Sequence, residues 1–168
     1  MQLTRITSCL GGMITALVLS GNASAQCPAV DVYEENDDCL NAVALTTGSY
    51  ANLTVEGVAS TLGLDFDSVV VPAGDIIQVD CLHIQALGDI DTYLYDAAGG
   101  TCGSHLLGDY LVRGYTSDDD ETMAWINVTG APVTVIIEIE PWANDTTFDC
   151  NDYSLSIATF PDPCALAR

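Results

Sequence analysis

Val133-Thr134-Val135-Ile136-Ile137-Glu138-Ile139 is the stretch that decides the fold class. Every residue but Glu138 is β-branched, and such side chains lose rotamer freedom in a helix but pack well on a pleated strand. Reading outward, Met123 to Val128 on one side and Tyr153 to Ile157 on the other repeat the signal. Upstream, Asp67 to Val71 forms a compact apolar run, and Ile76 to Ile84 follows it. Between them, Pro72-Ala73-Gly74-Asp75 reads as a tight turn, with proline pre-setting φ and glycine offering positive φ. That spacing predicts a hairpin from the two runs. Leu53 to Gly57, Asp89 to Tyr95 and a weaker run from Leu106 to Val112 complete the set.

No amphipathic helix is legible after the first 25 residues; Cys39 to Leu45 could make one or two helical turns. About eight short strands at roughly ten-residue spacing predict an all-β, jelly-roll-like antiparallel sandwich and not a βαβ protein. A polar loop is expected from Thr116 to Thr122.

Residues 1–25 read as a cleaved signal peptide. Arg5 supplies the positive start, Leu10 to Leu19 the short apolar stretch, and Ala23-Ser24-Ala25 the small-residue cleavage pattern. Cys9 precedes the apolar stretch, unlike the cysteine of a lipoprotein signal. Cleavage would take 25 of the 168 residues and one arginine, leaving 143 residues with 2 arginines against 24 acids, a net charge of −22. The expected organisation is therefore a signal peptide over 1–25 and one domain over 26–168, secreted or periplasmic.

The charge excludes several functions. The whole chain has 24 Asp and Glu against 3 arginines and no lysine, net −21. Nucleic acid needs cations to replace released counterions, and an anionic membrane surface repels such a chain. Lysine chemistry is impossible. Yet 49% of residues are apolar and 16% charged, the profile of a packed domain and not of a disordered acidic tail.

Six cysteines remain beyond the signal: Cys27, Cys39, Cys81, Cys102, Cys150 and Cys164. An even number in an exported chain suggests disulfides, and no C-x-x-C spacing argues for zinc or redox chemistry. Cys27 and Cys164 flank the domain, so their pairing would staple its ends. Cys81 lies in an apolar strand, where a buried free thiol is the alternative.

Four segments carry a resemblance. They are Asp31-Val32-Tyr33-Glu34-Glu35-Asn36-Asp37-Asp38 with Ala42, Leu45 and Gly48; Leu64-Asp65-Phe66-Asp67 through Pro72-Ala73-Gly74-Asp75; Gly88-Asp89-Ile90-Asp91-Thr92-Tyr93-Leu94-Tyr95-Asp96; and Asn151-Asp152-Tyr153-Ser154-Leu155-Ser156-Ile157. In this order and spacing, over residues 31–159, the chain resembles the bacterial pre-peptidase C-terminal domain family. The resemblance implies a jelly-roll-like sandwich that sits beside the catalytic part of exported enzymes and assists secretion, attachment or substrate binding; a related module binds collagen. Residues 26–168 are expected to hold this one domain and no catalytic one, and Glu35 stands where proline is common in the family.

Glu34, Asn36 and Asp37 place side-chain oxygens within four residues of irregular chain, and clustered hard oxygens are what Ca²⁺ takes. In the related collagen-binding modules such a segment folds over the sandwich and shares Ca²⁺ with acids at a strand. The resemblance therefore implies a metal site at Glu34, Asn36, Asp37, Asp65 and Asp67, with Asp31 in second rank. Asp65 and Asp67 are expected to face different ways unless the chain bends there. The competing reading is a turn or helix cap at Asp37 or Asp38 in a solvated loop.

Asp118 to Glu121 reads as a solvated run, and Asp89 and Asp91 as hydrogen-bonding turn residues, with a metal site the lesser alternative for each. His83 sits in a strand pattern and reads as packed; Gly103-Ser104-His105 lacks the context of a hydrolase elbow. Trp125 reads as core, and Trp142, after Pro141, as a possible contact point for a partner. Asn52, Asn127 and Asn144 stand in N-x-[ST] sequons. The expected function is non-catalytic binding or attachment to an extracellular protein, a polysaccharide or the cell's own surface structures. The alternatives are a small secreted hydrolase using Glu138 or Glu140, and a surface protein whose copies are bridged by calcium.

Overall fold

The structure, a computed structural model, describes residues 31–56, 63–99, 102–103, 108–142 and 150–164. The expected signal peptide, Cys9, Cys27, Ser104, His105 and Asn144 lie outside these residues. Nine strands are described: β1 (Val43–Ala44), β2 (Gly48–Glu56), β3 (Asp65–Val71), β4 (Asp75–His83), β5 (Ile90–Asp96), β6 (Val112–Gly114), β7 (Asp120–Ile126), β8 (Val133–Pro141) and β9 (Cys150–Pro161). They form two sheets, β1-β3-β8-β5-β6 and β2-β9-β4-β7. All pairs are antiparallel except the short parallel β1–β3 pair. The molecule is all-β, a jelly-roll-like two-sheet sandwich, as expected.

The main core lies between the sheets, where Val69, Val71, Leu94, Val135, Ile137 and Ile139 meet Val55, Ile77, Val79, Met123 and Leu155. Each fully buried aliphatic side chain contributes roughly 1.5–3 kcal/mol by leaving water, so β8, buried from Val135 to Pro141, anchors the fold. A smaller cluster of Phe66, Tyr93, Tyr95 and Ile136 covers the other face of the five-stranded sheet, packed beneath Cys39, Ala42, Leu64, Cys102 and Tyr110. β5 and β8 are thus buried on both faces, which explains why their sequences do not alternate cleanly.

Several expectations are corrected. β3 and β4 do not form a hairpin: β3 pairs with β1 and β8, whereas β4 pairs with β7 and β9. The Pro72–Asp75 turn arches between sheets, because the apolar faces of the two strands stack on each other instead of lying side by side. Gly74 adopts φ 82° there, as the turn requires. Asn127 plugs the arch, its side-chain amide donating to the carbonyls of Val71, Pro72 and Ala131 at 3.0, 3.1 and 2.7 Å. It is fully buried, so its sequon is closed to modification in the folded state.

No helix forms at Cys39–Leu45; a turn precedes β1. Of the weak strand expected over 106–112, the described residues hold only the start of the short β6 at Val112. Cys39 and Cys102 are joined, and Cys150 is also disulfide-bonded. Cys81 is a buried free thiol and Cys164 an exposed one, so the expected Cys27–Cys164 staple does not form and neither Cys81 nor Cys164 is a bridge residue.

Candidate metal centre

Asp65 and Asp67 are both buried, in phase with the core residues Val69 and Val71 of the same strand. The expectation that they diverge is therefore corrected: residues two apart on a strand share a face. Both carboxylates therefore lie on the inner face of β3, at the edge where that strand starts.

The segment before β1 closes that edge. The Phe66 amide donates to the Asn36 carbonyl at 2.9 Å, tying the segment to β3. Asp31 ties it to the other sheet: Oδ1 accepts from the Tyr33 amide at 2.7 Å and Oδ2 from the Thr54 amide of β2 at 3.0 Å. Carried in this way, Glu34 and Asp37 meet Asp65, with one carboxylate oxygen of each within 4.8 Å of the others. Asp67 and Asp31 stand outside that trio but within its field. Asn36 is buried and contributes its main-chain carbonyl to β3.

Burial dominates the electrostatics. It pushes the Asp65 carboxyl up to about 8, aided by repulsion from Glu34, Asp31 and Asp67 and opposed by the hydrogen bond from Tyr153. Burial likewise raises Asp67 to about 7, with Asp31 adding to it. Stripped of water and close to other acids, these groups hold their protons unless a cation neutralises them. The donor set is all hard oxygen, the preference of Ca²⁺ and not of softer metals.

Asp38 takes the capping role: its Oδ1 accepts from the Leu40 and Asn41 amides at 2.7 and 3.0 Å. The cap and the acidic cluster thus use different residues of one segment, so the two readings do not compete. Tyr153 and Thr54 were not anticipated. Tyr153 lies in a motif that is plain in the sequence, but only the stacking of β9 opposite β3 brings its hydroxyl to Asp65.

Of the other acids, Asp118, Asp119 and Asp120 are exposed, while Glu121 is buried, a correction to the solvated-run reading. The alternation of β7 turns Glu121 inward, where Oε1 accepts from the Thr116 amide and hydroxyl at 2.7 Å each. His83 is buried, and neither of its ring nitrogens has a hydrogen-bond partner. Trp125 packs against the core. Glu138 and Glu140 are buried on the outer face of β8, opposite Tyr93 and Asp91 on β5. Glu138 Oε2 accepts from the Gly103 amide at 3.2 Å, which places it under the Cys102–Gly103 turn. Among the described residues no helix is long and apolar enough to cross a membrane.

No family model matches the chain, and no curated protein does. Among solved structures it is similar to the pre-peptidase C-terminal domain of a collagenase from Bacillus anthracis, with 15% identity and a TM-score of 0.44, over 70% of this chain and 94% of that one.

Proposed function

We propose that this chain is an exported, non-catalytic accessory module whose N-terminal segment is latched across the sandwich edge by Ca²⁺. The observation that carries the reading is the meeting of Glu34, Asp37 and Asp65 within 4.8 Å, drawn from a loop and a strand far apart in sequence. Calcium would be held by those three carboxylates, with Asp67 and Asn36 beside them and Asp31 bracing the segment. Its charge would offset the repulsion that burial imposes on Asp65 and Asp67. The four sequence motifs that resemble the pre-peptidase C-terminal family support an accessory role in attachment, secretion or substrate binding. The disulfides support an oxidising, extracytoplasmic setting.

Thermal melting in chelator and in rising Ca²⁺ tests the latch. A ligand at 100 times its Kd stabilises the folded state by about 2.7 kcal/mol. Millimolar Ca²⁺ should raise Tm in the natural chain and fail to do so in Glu34→Gln/Asp37→Asn. An unchanged Tm in the natural chain rules the latch out.

A further inference from the structure

On the outer face of the five-stranded sheet, away from the acidic trio, a cavity of about 380 Å³ is lined by Asp89, Asp91, Tyr115, Thr116, Ser117 and Trp142. Its walls are fixed by the fold. The Trp142 amide donates to the Asp89 carbonyl at 2.9 Å, holding the end of β8 against the start of β5. Thr116 is held by its two hydrogen bonds to Glu121. Asp91 is 1% exposed, yet its Oδ2 has no hydrogen-bond partner. We propose that this cavity binds an alkylammonium group, as presented by a lysine side chain of a basic partner protein.

The chemistry selects that class. A buried carboxylate oxygen without a donor is costly, and a charged donor relieves it most. An ammonium brings three donors, matching in number the Asp89, Asp91 and Ser117 side chains, whose residues line one cavity. Its methylene stem would lie along the aromatic walls, where ring faces attract cations. The site already favours such contact: the Arg113 guanidinium sits 4.0 Å from the centre of the Tyr115 ring. Burial, with repulsion from Asp89 and Glu121, raises the Asp91 carboxyl to about 7 against the opposing pull of Arg113 and a hydrogen bond with Tyr93; a cationic ligand favours its ionised form further, and a neutral hydroxylic one does not. Calcium needs six to eight oxygens, and two aromatic walls supply none at the required density. The chain has no lysine of its own, so the ligand must come from elsewhere. Its net charge of −21 steers basic partners toward it.

The test is NMR titration of the full exported chain with N-acetyl-lysine amide, following the Trp142 indole N–H signal, assigned by its loss in Trp142→Phe. The ε-acetylated probe is the neutral control. The expected result is saturable binding of the charged probe, at least tenfold weaker binding of the neutral one, and at least tenfold loss in Asp91→Asn. Asp91→Asn keeps the shape of the side chain and should leave the chain folded. Should it unfold, Trp142→Ala must show the same loss, read there from saturation transfer to the probe's own methylene protons. Equal binding of both probes, undiminished binding in either variant, or a Trp142 shift produced by Ca²⁺ alone overturns the proposal. Because the calcium latch lies elsewhere, Glu34→Gln/Asp37→Asn should bind the charged probe as the natural chain does; loss of binding there also overturns it.

Discussion

Tyr153 on β9 donates its phenolic hydrogen to Oδ2 of Asp65 on β3, 2.5 Å away, across the gap between the two sheets. Both groups are buried, so the bond joins the sheets at the edge where the N-terminal segment docks. Burial raises the Tyr153 hydroxyl well above its ordinary range, with Asp65 adding to the effect, so it remains a donor throughout the accessible pH range.

Tyr153→Phe keeps the ring and removes that donor. Leaving a buried carboxylate oxygen unsatisfied costs about 1–3 kcal/mol. Urea denaturation of the variant in chelator should show a loss in that range with an unchanged m-value. A variant as stable as the natural chain would mean that water replaces the hydroxyl.

The Cys39–Cys102 bridge spans 63 residues of sequence and clamps the turn before β1 to the turn after β5 over the Phe66–Tyr93–Tyr95 cluster. Closing a loop of that length restricts the unfolded chain by about 4 kcal/mol in the chain-entropy view. Cys39→Ser/Cys102→Ser should lose several kcal/mol in chemical denaturation. It should also gain hydrogen exchange at the β5 and β8 amides before those of β4 and β9. Uniform loss of protection across both sheets would contradict a local clamp.

Glu140 gives a pH dependence of definite sign. Burial, then repulsion from Glu138 and Asp91, raises its carboxyl from about 4.5 to about 8, while a hydrogen bond with Tyr93 opposes the rise. The folded state therefore holds a proton that the unfolded chain has released. The resulting stability is complete below pH 4.5 and is lost as pH rises through 8. Asp91, raised to about 7, has the same sign. Glu140→Gln cannot ionise, so its stability relative to the natural chain should grow from pH 5 to pH 9 in chelator-containing buffer. An equal gap at both pH values would show that Glu140 does not titrate with folding.

Much of the fold was legible locally. The β-branched density of Val133–Ile139 suffices for a buried strand because it expresses single-residue sterics and period. The Pro72–Asp75 turn was equally plain, since proline and glycine act on their own dihedral angles. Its consequence was not: alternating apolar residues suit a strand paired in one sheet as well as one stacked on the opposite sheet. The acids behaved in the same way. Glu34, Asp37 and Asp65 could be named as oxygen donors of the right hardness, but a chain with 24 acids offers many such sets.

By itself, then, the sequence determined an all-β acidic domain without lysine chemistry and its turns, because each depends on residue type and on local period. Tertiary structure decided that β3 and β4 stack rather than pair, that Cys39 meets Cys102 while Cys164 stays free, and that Glu121 points inward. It also decided that Tyr153 caps Asp65 and that Asp91 faces a cavity beside Trp142. Each of these is a distance between residues remote in sequence, set by which apolar faces exclude water together.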